Sequence, residues 1–244
     1  MGSNMHHNFK VDILRFLLLL LVYALISNIC IPLSERINIP NSLTAIGYVI
    51  FCVILLCFLN KKGELEYYGF KSLKNLNHKK LLFYIPMILI VSVNLLAGIH
   101  INDTLLQIVL ISVCMLCVGF IEEVIFRSLL MKALMHKNDK LAIFVSGSLF
   151  GIIHLLNIFT GNNVFSTLLQ VFYAMSFGLM CAIFFYKTKN IIPCILCHGI
   201  SNMFDTFLPS DQTIVMQYIG CVLFILISGC YSIYLWKNHS FENR

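Results

Sequence analysis

Residues 104–133, TLLQIVLISVCMLCVGFIEEVIFRSLLMKA, decide the fold. The run from Leu105 to Ile121 is almost wholly apolar, yet Glu122, Glu123 and Arg127 follow before the hydrophobic stretch ends. A spanning helix needs about 20 predominantly apolar residues, and this stretch supplies them while carrying, well before its Lys132 end, Glu122, Glu123 and Arg127, which a bilayer penalises by several kcal/mol each unless they are partnered. It therefore reads as a membrane helix with a polar site built into it.

The rest of the chain agrees. Of 244 residues 59% are hydrophobic and 11% charged, with a mean hydropathy of +0.87. That is far too apolar for a domain whose surface faces water. Eight candidate spans are readable, near 11–31, 41–59, 80–99, 104–133, 141–157, 164–186, 190–208 and 213–236, the fifth being the shortest. The expected fold is all-α: one polytopic membrane helix bundle over residues 1–244.

Lys and Arg are retained on the cytoplasmic side of membrane proteins. Lys10 and Arg15 flank the first span, and Lys61, Lys62, Lys71, Lys74, Lys79 and Lys80 lie in or beside the loop after the second. Lys132, Lys137 and Lys140 follow the fourth, Lys187 and Lys189 the sixth, and Lys237 and Arg244 end the chain. The alternate loops hold Arg36 beside Glu35, with Asp103 and Asp211. Both termini are thus expected in the cytoplasm. The net charge of +6 is spread over several loops instead of one aromatic-interleaved patch, which gives nucleic-acid binding no support. The Lys-rich loop can lean on anionic headgroups at about 1 kcal/mol per charge, so membrane lipids are expected partners. The first span has a basic flank, but IPLSERINIP offers no small-x-small cleavage site, so it reads as a retained helix. No weight rests on residues 1–8, and Gly2 lacks the context for myristoylation.

Ten cysteines lie mostly in apolar runs, where Cys behaves as a small hydrophobe. Cys194-Ile-Leu-Cys197-His198 matches a covalent haem-attachment pattern. It lies inside a predicted span near the cytoplasmic face, with no loop long enough to enclose a haem, so the hydrophobic reading is preferred.

Ionisable groups concentrate in three spans. The fourth holds Glu122, Glu123 and Arg127, the fifth Phe150 and His154, and the seventh His198 and Asn202. Side chains four apart share a helix face. Glu123 and Arg127 form such a pair, and Glu122, rotated by about 100°, faces elsewhere. Counted from the cytoplasmic helix ends at 1.5 Å per residue, Glu122 and His154 lie about 20 Å in, and His198 and Asn202 about 12 and 18 Å in. Singly, each has an ordinary structural explanation: a register-setting ion pair, an interhelical donor, a core aromatic. Together, at similar depth on three helices, they predict a shared polar site reached from the cytoplasmic side.

These residues spell Glu122-Glu123-Val124-Ile125-Phe126-Arg127, Phe150-Gly151-Ile152-Ile153-His154 and His198-Gly199-Ile200-Ser201-Asn202. The series resembles the EExxxR, FxxxH and HxxxN motifs of the CAAX prenyl endopeptidase/Abi (CPBP) family, with every defining position present. The resemblance covers roughly residues 104–208, which would form the catalytic core. It implies an intramembrane endopeptidase acting on a membrane-protein or peptide-precursor substrate. In that scheme Glu122 is the general base, aided by His154, with His198 and Asn202 orienting the water or stabilising the oxyanion and Glu123, Arg127 and Phe150 in support. The resemblance fits a reaction needing no cofactor, and equally a zinc held by Glu122, His154 and His198. Ser201 and Cys197 border His198, but neighbours one residue apart do not face each other on a helix. A non-catalytic scaffold, immunity or sensor protein using the same pocket is the alternative; a small transporter would call for similarity between chain halves, which is not seen. Ile, Lys and Asn usage favours a low-GC bacterial cell membrane and a peptide or membrane-protein substrate over a prenylated one.

Overall fold

The computed structural model describes residues 8–61, 63–71, 78–161, 163–209 and 213–238, without the side chains of 78–82, Thr160 and Ile214. Residues 1–7, Lys62, Lys74, Asp211 and Arg244, which entered the sequence reading, lie outside them, as do the side chains of Lys79 and Lys80. The described chain is helical throughout its ordered elements, as an all-α bundle requires.

Among the described residues eight helical segments follow one another: α1 (Phe9–Arg36), α2 (Ser42–Asn60), α3 (His78–Val93), α4 (Leu105–Glu123), α5 (Asp139–Ile152), α6 (Val164–Thr188), α7 (Ile192–Thr206) and α8 (Ile214–Lys237). Three of them change winding at one end. Helix α3 ends in a 3-10 turn, Asn94–Ala97; α4 runs on through a π-helical stretch, Val124–Met131, into a last α turn, Lys132–Met135; and α5 runs on as 3-10 helix over Ile153–Thr160. The boundaries follow the local chemistry. The side chains of Asn8, Thr104, Asn138, Asn163 and Thr213 each accept a backbone N–H in the first turn of α1, α4, α5, α6 and α8, satisfying donors that a helix start leaves free. Asn190 does the same for Ile192 N at 3.0 Å, and Pro193 sits where its missing N–H costs nothing.

Among the described residues, six helices are long and apolar enough to cross a membrane: Phe9–Arg36, Ser42–Asn60, Leu105–Met135, Asp139–Phe159, Val164–Thr188 and Val215–Lys237. The protein is a multi-pass integral membrane protein. At the third of the eight expected spans the helix runs His78–Val93 and on through Asn94–Ala97, about the length a span requires; at the seventh the helix is the shorter Ile192–Thr206 and does not reach full length. Nor is the fifth the shortest, since its 3-10 continuation carries Asp139–Phe159 to 21 residues. Hydropathy counts apolar residues whether or not they are helical. The Asn190 cap and the turn at Phe207 trim α7 from both ends.

The basic connections gather at one end. Lys137 Nζ lies 3.6 Å from the centroid of the Phe9 ring and Lys132 Nζ 4.6 Å from that of Tyr67. The Tyr186 hydroxyl donates to Asp139 Oδ2 at 2.8 Å, Lys187 Nζ donates to Asn238 O at 3.1 Å, and Ile191 N donates to Gly69 O at 2.9 Å. At the opposite end His100 N donates to Phe207 O at 2.8 Å, and Phe165 meets Tyr218.

Two close helix crossings position the site. A Cβ on Gly119 of α4 would lie 2.5 Å from Gly199 N of α7. A Cβ on Gly151 of α5 would lie 2.6 Å from Met175 N of α6, and one on Gly147 only 2.7 Å from Leu179 Cα. In lipid, helices associate through packing of this kind, small residues admitting a neighbouring backbone. Gly119 is one turn before Glu123, and Gly199 is next to His198. The crossing of α4 and α7 therefore delivers carboxylates and imidazole to one place.

Candidate active site

Where α4 passes into its π-helical stretch, two adjacent glutamates part company. Glu123 is fully buried and its Oε2 lies 3.1 Å from Arg127 Nε, the pair expected from four-residue spacing. Glu122 is partly buried and turns to another sector, as its rotation on the helix requires. Its Oε1 accepts a hydrogen bond from the Tyr23 hydroxyl of α1 at 3.0 Å. Its Oε2 faces His198 Nε2 at 3.8 Å.

His198 joins the two acids. Its Nδ1 lies 3.3 Å from Glu123 Oε1 while Nε2 looks to Glu122. A neutral imidazole donates from one nitrogen only and an imidazolium from both, so a proton at His198 decides how many carboxylates it serves. The contacts of Glu123 with Arg127 and His198 have ion-pair distances, but neither Glu123 oxygen, the Arg127 nitrogens nor His198 Nδ1 attains hydrogen-bond geometry. Attraction between charges in a low-dielectric interior, more than directed bonding, holds this part together.

Phe150 stands at the centre. Its ring is T-shaped to both imidazoles, with centroids 5.6 Å from His154 and 5.4 Å from His198. The Arg127 guanidinium carbon lies 4.7 Å from its centroid, a cation–π contact that gains strength where water is excluded. His154 occupies the start of the 3-10 stretch after α5 and its Nδ1 lies 2.9 Å from Phe150 O. With the carbonyl accepting from Nδ1, Nε2 is left as the acceptor nitrogen.

Six of the seven residues singled out from sequence thus form a connected set: Glu122 and Glu123 directly with His198, Arg127 with Glu123, and Phe150 bridging Arg127, His154 and His198. His154 meets the set through Phe150. Asn202 lies one turn beyond His198 on α7, partly buried, and its backbone carbonyl accepts from Thr206 Oγ1 at 2.9 Å.

Sequence reasoning missed Tyr23, because only strongly ionisable residues were sought in the first spans. The signal was there: Tyr23 and Ser27 are four apart in an otherwise aliphatic run. Ser27 Oγ donates to Tyr23 O and shares a 2.8 Å hydrogen bond with the Tyr48 hydroxyl of α2. Phe177 of α6, 5.4 Å from the His198 ring, was also missed. A lone Phe in an apolar helix carries no mark of it.

The neighbours of His198 do not converge on it. Cys197 Sγ donates to Met87 O at 3.5 Å, in α3, and Cys194 Sγ to Cys181 O at 3.7 Å, in α6. The CxxCH run therefore points in separate directions, as helical hydrophobes do. The zinc alternative meets a geometric difficulty as well. Among the described residues, the three metal-capable side chains with ligand atoms within 4.8 Å of one another are Glu123, Cys181 and Cys194, not Glu122, His154 and His198. At that group the Arg127 guanidinium against Glu123 opposes a cation.

Comparison with known proteins bears on the same stretch. Residues 103–204 match the family model of the type II CAAX prenyl endopeptidase Rce1-like proteins. No curated protein matches the chain, and no solved structure does. The matched residues begin beside α4, end within α7 and contain all seven motif positions together with the acid–imidazole cluster they build, so this stretch of the chain is similar to the type II CAAX prenyl endopeptidase Rce1-like family.

Proposed function

We propose that the protein is an intramembrane endopeptidase in which Glu122 activates water to cleave a peptide bond of a membrane-associated substrate. The observation that carries this reading is the arrangement of Glu122 Oε2 opposite His198 Nε2 at 3.8 Å. That spacing is too long for a direct hydrogen bond and suits two groups sharing one small polar molecule. The likeness of residues 103–204 to the type II CAAX prenyl endopeptidases makes peptide hydrolysis the chemistry to expect there.

Glu122 removes a proton from the water as its oxygen attacks the scissile carbonyl carbon. The carbonyl oxygen becomes an oxyanion, stabilised by a proton donor on His198, with Asn202 one turn along the same face. Collapse breaks the C–N bond, and the proton held by Glu122 passes to the leaving amine. His154, with Nδ1 at the Phe150 carbonyl, assists through Nε2. Glu123 and Arg127 balance each other's charge and keep the second nitrogen of His198 occupied. No step is assigned to a metal. The substrate class is a peptide precursor or membrane protein of a bacterial cell membrane, reached from the basic, cytoplasmic end.

The test compares membrane-associated peptides from cells carrying the wild-type protein and the Glu122→Ala or Glu122→Gln variant. Peptides released only by the wild type are expected, and release should persist when purified protein is treated with a chelator. Identical peptide profiles from variants that insert and fold would overturn the reading in favour of a binding scaffold. Loss of release on chelation, restored by zinc, would reinstate the metal.

A further inference from the structure

We infer that Tyr23 is a positioning residue for Glu122: the first helix, outside the matched segment, fixes which carboxylate oxygen faces the reacting centre. The inference rests on the proposed role of Glu122 for its consequence, but not for its geometry.

The two oxygens of Glu122 are divided between two helices. Oε1 accepts the Tyr23 hydroxyl at 3.0 Å, and Oε2 faces His198. A glutamate side chain has three rotatable bonds and a carboxylate that turns about the last of them. A general base must present one oxygen to the proton it abstracts. With Oε1 held by Tyr23, only Oε2 is presented to the centre.

The Tyr23 side chain is itself held. Its ring packs on that of Tyr48 with centroids 5.6 Å apart at 49°. Tyr48 is only 4% exposed, and its hydroxyl shares a hydrogen bond with Ser27 Oγ, which in turn donates to the Tyr23 carbonyl. The support comes from α2, which packs directly on α4. A device that swung away with α1 to admit substrate would not be tied in this manner to a buried tyrosine of α2. The arrangement suits a fixed support and not a releasable latch.

Two measurements on protein reconstituted in lipid vesicles test this. In infrared difference spectra, the band lost in Glu122→Gln identifies the Glu122 carboxyl group. Tyr23→Phe, which removes one hydroxyl and keeps the ring, is expected to move that band; an unmoved band in a folded variant overturns the contact, whatever the protein's activity. In the peptide-release assay, Tyr23→Phe should lower the turnover number roughly 10- to 100-fold, the size of one hydrogen bond to a charged group. KM should be unchanged, and Tyr23→Phe should add nothing in the Glu122→Gln background. An unaltered or raised turnover number overturns positioning. Full activity of Glu122→Gln would sink the proposed function while leaving the infrared result to report on Tyr23.

Discussion

Helices α1 and α6 both have the composition of membrane spans, with hydropathies of 2.5 and 2.0 over their best windows, yet 6% of the α1 window is buried inside the protein and 50% of the α6 window. The more hydrophobic helix is the one left to lipid. Hydropathy measures affinity for hydrocarbon, and lipid supplies that as well as protein does. What draws α6 inward is shape: Gly178 against the Gly147 carbonyl, and Leu179 and Met175 against the glycines of α5. Helix α1 meets the centre along one face, with Phe16 against Phe126 and Tyr23 against Glu122. One of those contacts is a hydrogen bond to the proposed base. In a membrane protein, the extent of burial and closeness to the chemistry are separate properties.

Substitutions can break or sharpen that contrast. The largest effect belongs to chemistry: Glu122→Gln should reduce peptide release about 10²- to 10⁴-fold, the usual worth of a general base, with unfolding in mixed micelles unchanged. Next comes Arg127→Met, which strands the buried Glu123 and should cost about 3–5 kcal/mol. Adding Glu123→Gln should recover much of that in the same unfolding assay. Met180→Ala, at a fully buried position of α6, should cost about 2–5 kcal/mol. Gly119→Ala places a methyl carbon 2.5 Å from Gly199 N. It should cost about 1–3 kcal/mol and reduce cleavage further by parting Glu122 from His198. The smallest effect is expected on α1, where Leu18 is 56% exposed. Leu18→Ala there should change stability by less than about 0.5 kcal/mol, as at positions away from packed contacts. A large loss at Leu18 would mean that α1 is packed against something other than lipid.

Much of the site was legible because charge in an apolar run is conspicuous and helical geometry is simple. Glu123 and Arg127 had to meet, Glu122 had to face another sector, and similar depth suggested that His154, His198 and Asn202 would gather near them; His198 does so directly and His154 through Phe150. The double reach of His198, to Glu122 with one nitrogen and Glu123 with the other, could not be read. It depends on the approach of α4 to α7 at Gly119 and Gly199, and no periodicity encodes a distance between helices. The π-helical stretch Val124–Met131 was equally hidden. Its residues are ordinary helix formers, and a wider turn of this kind is selected by packing, often beside functional groups.

The sequence by itself determined the membrane class, the order and approximate limits of the helical segments, the clustering of basic residues in alternate connections, and which polar side chains had to find partners away from lipid. Those follow from hydrophobicity, helical rise and the cost of charge in hydrocarbon, all properties of single residues and their spacing. Only the tertiary structure decided that the seventh helix stops short of a full span, that the His154 ring meets the cluster through Phe150, and that a tyrosine from the least buried of the six described spans holds the proposed base. Those depend on backbones brought within contact distance across the bundle, where a missing Cβ counts for more than any residue's affinity for the membrane.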